Sequence, residues 1–384
     1  MIDIYSYDMV PLSDFVAEYK ELNTNNRFRP VAVGRYGIRT RESIYSKELA
    51  QDYSKNKLIY KDTLTVGMGS VQMDIGILTD DITYSVSPAY HTYRINGINC
   101  DYLRFCLQAR NADMFERYKK RGSRQGKSID LKAWLHYLIP VYEIDGQLQI
   151  VSTLHKIQSI IDDRMQQLQK LDDLVKARFV EMFGDPIRNE NKWSKMPLDL
   201  ACRVIVDCPH STPNYLTQDT GYMCIRTSIV KKNKILWNEI EFISESEYLQ
   251  RIKRKKPEKG DIIYTREGAI LGIAAIIDRK CNVALGQRSM LLSPDKRICT
   301  SEFLCTAMNF ESFLDNALKG VIGSASPHIN VGDIKAFQMI MPPVDLQYQF
   351  SLFVQQVDKS KFVVQQALDK AQLLFDSLMQ QYFG

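Results

Sequence analysis

The sequence predicts a mixed α/β (α+β) protein. Two similar globular domains are joined by two long antiparallel coiled-coil helices, an internal duplication with pseudo-twofold symmetry. Three observations predict it. The chain has 384 residues, long for one core. Short motifs recur in the same order about two hundred residues apart. Each copy closes on a long Pro-free stretch that ends in Phe-Gly, at Phe183-Gly184 and Phe383-Gly384.

The repeat is read from five matches. "VPLSDF" (Val10–Phe15) resembles "MPLDLA" (Met196–Ala201), and "DTLTVGMG" (Asp62–Gly69) lines up with "DIIYTREG" (Asp261–Gly268). Cys100 and Cys106 fall on Cys299 and Cys305. "DLKAWLHYLIPV" (Asp130–Val141) matches "DIKAFQMIMPPV" (Asp333–Val344), and the Phe-Gly endings match each other. The offsets drift between 186 and 203. That period is too long for a solenoid, so the repeated unit is a whole domain with its own tail. The expected boundaries are 1–144, a helix at 145–184, a second domain at 185–345 and a second helix at 346–384.

Each domain is expected to mix strands and helices. "GDIIYTREGAI" and "GIAAIID" carry β-branched residues bounded by Gly and charge, as strands do. "CDYLRFCLQARNADMFERYKK" and "SEFLCTAMNFESFLDNALK" read as helices, and "YLIP" and "MIMPP" as short strands stopped by Pro. Gly146 marks the start of the first long helix. Its apolar residues Leu154, Ile157, Ile161, Leu168, Leu171, Val175 and Met182 alternate three and four spacing. Val354, Val357, Val364, Leu368, Ala371, Phe375, Leu378 and Tyr382 repeat the phase in the second. Arg164, Arg178 and Lys361 interrupt the seam, a device that fixes register at a cost in stability. Ile160, Met165, Phe179, Phe362 and Met379 lie off it. With the tip residues Phe183 and Phe383 they are the candidate face for a partner protein. The alternative is that they pack on the chain's own domains.

Composition narrows the function. The chain is 45% hydrophobic and 25% charged, with net charge +5: mildly basic, compatible with a polyanion without requiring one. "MIDIYSYDMVPLSDF" lacks the basic and apolar regions of a secretory signal, and no run approaches the ~18 apolar residues of a membrane span. A cytoplasmic protein is expected. Eight Cys occur without a C-x-x-C, so no metal site is expected, Cys202, Cys208, His210 and Cys224 included. There is no P-loop, no G-x-S-x-G and no H-E-x-x-H. None of the five His stands in a nucleophile or metal spacing. No catalytic residues are expected, and the weight moves toward a binding module.

Basic and polar residues gather in loops that correspond between the copies. "KKRGSRQGKS" (Lys119–Ser128) precedes the first Pro-stopped strand and "KGVIGSASPHIN" (Lys319–Asn330) the second. Arg and Lys neutralise phosphates, while Arg, Gln and Asn can read base edges. The candidates are Arg35, Arg39 and Arg41 in "VGRYGIRTRE", with Arg121, Arg124, Gln125 and Lys127, all in the first copy. In the second they are Arg226, Lys231, Lys232, Arg266, Arg288, Lys319, Ser324 and His328. The densest run, "RIKRKKPEKG" (Arg251–Gly260), reads as a solvated helix end.

Taken together, "GDIIYTREGAILG", "GSASPHINVGDIKAFQMIMPPVDLQ" and a helix closing on "KARFVEMFGD", all on a duplicated frame, resemble the specificity (S) subunit of type I restriction–modification systems. The resemblance covers essentially the whole chain and is closer in the second copy. It implies that each globular part is a target recognition domain reading one half of a bipartite, gapped double-stranded DNA target. It implies that the helices set the gap and dock modification (methyltransferase) subunits, two of them, with restriction (translocase/nuclease) subunits joining the complex. The chain itself would be non-catalytic, with S-adenosylmethionine, Mg and ATP held only by partner subunits. The first copy departs from the pattern, with "DTLTVGMGSVQMD" and "YEIDGQLQ" where the family has its strand-and-loop segment and second Pro. A nuclease or atypical methyltransferase acting on nucleic acid alone, and a purely structural coiled-coil adaptor, are the alternatives.

Overall fold

The structure is a computed structural model. It describes residues 6–34, 37–44, 52–124, 127–268, 270–319 and 328–384, with side chains left aside at 121–124 and 127. It divides into two compact units: Met1–Met165 with Gln366–Gly384, and Gln166–Gln365.

In the first unit β1 (Asp8–Pro11) and β2 (Val16–Tyr19) lead to the hairpin β3 (Val31–Gly34) and β4 (Gly37–Thr40). Then come β5 (Lys57–Ile59), β6 (Thr63–Met68), β7 (Met73–Leu78), β8 (Tyr84–Val86) and β9 (His91–Ile95). Helices α1 (Cys100–Ala109) and α2 (Asn111–Tyr118) are followed by the hairpin β10 (Lys119–Arg124) and β11 (Lys127–Ile129). After α3 (Leu131–Trp134) and β12 (Leu138–Val141), the long helix α4 (Ile144–Phe183) begins. It starts two residues before Gly146, which the helix tolerates in its first turn.

The second copy opens with β13 (Lys195–Pro197), α5 (Leu198–Ala201), β14 (Cys202–Asp207) and β15 (Met223–Ile225). The short hairpin β16 (Val230–Lys231) and β17 (Lys234–Ile235) precedes β18 (Glu241–Phe242) and α6 (Glu245–Arg251). The strands β19 (Ile262–Thr265), β20 (Ala274–Ile276), β21 (Val283–Leu285) and β22 (Ser289–Pro294) follow. Helices α7 (Ser301–Met308), α8 (Glu311–Ala317) and α9 (Val331–Lys335), strand β23 (Gln338–Ile340) and the long helix α10 (Val344–Phe383) complete it.

The two copies share a frame. The first builds a four-stranded sheet in the order β2-β9-β6-β7, the second in the order β14-β22-β19-β20. Strand by strand these are the same places in the repeat. The Pro-stopped strands also correspond: β12 pairs antiparallel with β1, and β23 with β13. What lies outside the frame differs. The first unit adds the β3-β4 and β5-β8 pairs; the second adds the three-stranded sheet β18-β15-β21 and α6. One match does not carry over. Cys100 follows the Asn99 cap of α1, whereas Cys299 precedes the Thr300 cap of α7.

Two pairs of side chains repeat the same job in each unit. Asn111 accepts from Met73 N and donates to Met73 O on β7; Asn309 does both with Ala274 on β20. Each thereby ties the helix junction to the edge strand. Gln147 and Gln347 sit in the first turn of their long helices. Gln147 accepts from Asn99 N and donates to Tyr142 O. Gln347, fully buried, accepts from Thr300 N at 3.0 Å and donates to Pro342 O at 2.9 Å and Ile298 O at 3.1 Å. Gln347→Ala leaves a buried N–H and two carbonyls short of a partner, each a group that is costly to desolvate. Unfolding by denaturant is expected to show a loss of about 2–4 kcal/mol; a loss below about 0.5 kcal/mol would mean that water replaces the amide at no cost.

Each unit takes half of each long helix into its core. In the first, Ile150, Leu154, Ile157 and Ile161 of α4 pack with Ala371, Phe375, Met379 and Phe383 of α10. In the second, Val175, Phe179 and Phe183 of α4 pack with Phe350 and Val357 of α10. There Phe350 meets Phe183, while Lys361 pairs with Asp172, eleven residues along in opposite senses, so the helices run antiparallel. The seam break at Lys361 is thus an inter-helix ion pair, and Arg178 pairs with Glu181 in its own helix.

The burial pattern corrects part of the expected partner face. Phe179, Phe183 and Phe383 are fully buried and Met379 nearly so, all inside the chain's own cores. A helix packed against both a second helix and a globular part buries more than one stripe, which the seam alone does not show. Ile160, Met165 and Phe362 remain exposed, Phe362 at 64%. Gly184, at φ 74°, is the left-handed stop of α4, its N–H donating to Val180 O. Trp193 Nε1 caps the tip by donating to Phe183 O at 2.9 Å.

Candidate nucleic-acid interface

In the second unit the strand order brings together residues far apart in sequence. Asp207 ends β14, Ser289 opens β22 and Thr265 ends β19, and these strands are neighbours in the sheet. Asp207 therefore stands beside the loops that leave β19 and enter β22. Arg266 donates to both oxygens of Asp207, from Nε at 2.8 Å and Nη2 at 3.1 Å. Its Nη1 lies 2.7 Å from Glu267 Oε1. A bidentate guanidinium–carboxylate pair of this kind is rigid as well as strong. His210 Nε2 lies 3.2 Å from Asp207 Oδ2, with its imidazole 71% exposed. His328 joins the group through a β-bridge with Glu267, and Ile329 N donates to Arg266 O.

The loop that carries His210 is tied down at several points. Arg251, at the end of α6, donates to Ser211 O at 2.8 Å and to Leu285 O at 3.2 Å, and is paired with Glu247. Gln287 Nε2 donates to His210 O, and Asn214 N to Glu247 Oε2. The first residue of the basic run is therefore a buried anchor, where the sequence suggested a solvated helix end. Apart from the buried Pro257, the rest of the run is exposed or half-buried, with Lys255 paired to Asp261 and Glu258.

The structure sorts the expected contacts. Arg288 and His328 are exposed at this group of strand ends, and Arg226 adjoins it through Ile225 O, which accepts from Gly286 N. Arg226 itself is exposed, paired to Glu241 at 2.9 Å and lying over Tyr215. Arg266 is a correction: 6% exposed and paired with two carboxylates, it braces the surface and is not presented to DNA. Lys231 and Lys232 belong to the β16–β17 turn. Its next residue, Asn233, is bonded to Ala274 and Asn309, at the opposite edge of the sheet. Lys319 is exposed just after α8. Ser324 lies outside the described residues.

In the first unit Arg39 is exposed on β4, opposite Ala32 of β3. Arg41 is half-buried, its guanidinium 5.4 Å from the centre of the Tyr53 ring. Within "KKRGSRQGKS", Lys119–Arg124 and Lys127–Ser128 lie on the paired strands β10 and β11, whose register shifts between Arg121 and Arg124. Lys120 at its base pairs with Asp130, the N-cap of α3. Arg35 and Gln125 lie outside the described residues, as do the side chains of Arg121, Arg124 and Lys127.

Sequence reasoning missed Asp207, His210, Gln287 and Arg251. Their signal is weak: an acidic strand end three residues before a His gives no hint of which arginine it will meet. Burial pushes the Cys202 and Cys224 thiols up to about 12, so both are protonated near neutral pH. Among the described residues no group of three or more His, Cys, Asp or Glu is placed to hold a metal. Among them, too, no helix is long and apolar enough to cross a membrane.

Residues 210–370 match the family model of the type I restriction modification DNA specificity domain. That stretch holds the strand-end group from His210 to His328. Over its full length the chain has the fold of solved specificity subunits. A type I restriction–modification S subunit from M. genitalium superposes with TM-score 0.57 at 12% identity, covering 100% of this chain and 98% of that one. A chain from a structure of type I R-M complex assembly and conformational transition superposes with TM-score 0.52 at 15% identity, covering 98% and 97%. No curated protein matches the sequence.

Proposed function

We propose that this chain is a specificity subunit of the type I restriction–modification kind and that it reads one half of a gapped double-stranded DNA target with each of its two units. One observation carries this reading: the same four-strand order recurs in both units beneath different outer elements. One scaffold with two dissimilar faces suits two different half-sites. The strand-end group of the second unit adds the chemistry, with exposed Arg and His on braced loops.

The two helices, 40 residues each, give half their length to each unit. We assign them the gap between half-sites, and their exposed apolar residues Ile160, Met165 and Phe362 to the docking of methyltransferase subunits, one per copy of the repeat. The chain itself carries no catalytic role in this reading. S-adenosylmethionine, Mg and ATP belong to partner subunits, and the complex resides in the cytoplasm.

The test is methylation. The pure chain with DNA, Mg and S-adenosylmethionine is expected to yield no product; adding its methyltransferase partner yields methylation at a bipartite motif. A continuous motif, or methylation by the chain alone, overturns the reading. Removing one heptad from each helix is expected to shorten the gap in the motif, and an unchanged gap would remove the helices from that role.

A further inference from the structure

We infer that Arg288 is a base-reading residue of the second unit, and that the base it reads is guanine. This rests on the DNA-specificity reading above and goes beyond it by naming a residue and the group it recognises. Two arginines stand at the same sheet edge. Arg266 is buried against Asp207 and Glu267. Arg288 is exposed, and among the described residues no carboxylate or carbonyl pairs with its guanidinium.

The backbone that carries Arg288 is fixed. Only Gly286, Gln287 and Arg288 separate β21 from β22, and both strands are buried. Gly286 lies so close to its neighbours that a Cβ there would meet Ile225 O at 2.8 Å and the Tyr215 hydroxyl at 3.1 Å. Its N–H donates to Ile225 O. Gln287 is bonded through its side chain to His210 O. Arg288 O accepts from Arg266 N, which the ion pairs hold in place.

Arg288 also sits at φ 65°, a region that favours Gly and is unfavourable for a long side chain. Strain of this kind persists where the surrounding structure over-determines it. Its side chain passes over Gly268, where a Cβ would lie 3.4 Å from Nη1 and 3.7 Å from Cδ. The result is a free guanidinium on a rigid three-residue connection. A phosphate contact needs only a charge within reach. A bidentate pair with the O6 and N7 atoms of guanine needs a fork delivered from a fixed backbone position, and this connection supplies one.

The experiment compares wild type, Arg288→Ala and Arg288→Lys, each assembled with the methyltransferase partner. The probes are duplexes altered one base pair at a time across the motif. Both variants are expected to keep the wild-type thermal midpoint. Both are expected to lose about tenfold or more of the discrimination at one G·C pair in one half of the motif. Discrimination in the other half stays unchanged. The inference is overturned if neither half loses discrimination, or if no G·C pair lies in the affected half. It is also overturned if binding weakens equally on all duplexes and Lys restores it, the signature of a phosphate contact. A wild-type complex that binds every duplex alike overturns the specificity reading itself, a result distinct from these.

Discussion

Phe183→Ala is expected to lower the unfolding free energy of the second unit by about 3–5 kcal/mol, the range for emptying a buried aromatic site. The side chain is fully buried at the tip of α4. Its ring centre lies 4.9 Å from Phe303, 5.0 Å from Phe179 and 5.5 Å from Phe350. Three neighbouring rings, two of them on long helices, cannot collapse into the space without moving a helix. Trp193, which bonds to Phe183 O, and Trp237 both report on this unit by fluorescence. The comparison is Phe362→Ala, on the exposed side of α10, expected to stay within about 0.5 kcal/mol of wild type. Equal losses in the two variants would mean that the tip of α4 is not part of the core.

Asp207→Ala is expected to cost about 3 kcal/mol, because it leaves the buried Arg266 guanidinium with only Glu267. It also releases His210, so selectivity of DNA binding is expected to fall together with stability. Replacing the pair, Asp207→Ala with Arg266→Met, should recover part of the stability, since no guanidinium is then left buried beside a missing partner. It should not recover selectivity. A double variant as unstable as the single one would show that the ion pair does more than cancel its own burial cost.

Much of the fold was legible because it repeats. The Phe-Gly endings and the seam phase fixed both long helices to within a few residues, since a 3.6-residue period over ten turns is hard to mistake. The Asp261–Gly268 and Asp62–Gly69 match located equivalent central strands, β19 and β6. The candidate site was less legible. Arg266 and Arg288 look alike in sequence; only the neighbour relation of β14, β22 and β19, non-consecutive strands, reveals that one faces Asp207 and the other solvent. Phe179 and Met379 lie off the seam, where an apolar residue reads as facing a partner. A helix bounded by two packing surfaces has no single stripe from which burial can be read.

The division into units has a consequence for synthesis. The second unit is one unbroken segment, Gln166–Gln365, whereas the first needs Gln366–Gly384 to complete its core. Domains ordinarily fold in the order in which they leave the ribosome. Here the part made first closes last. Until Phe375, Met379 and Phe383 emerge, Tyr102 and Phe105 lack the rings that cover them. The nascent chain thus carries an open apolar surface through the whole time its second unit is being made, and that interval, set by two hundred intervening residues, is when it has most need of protection from aggregation.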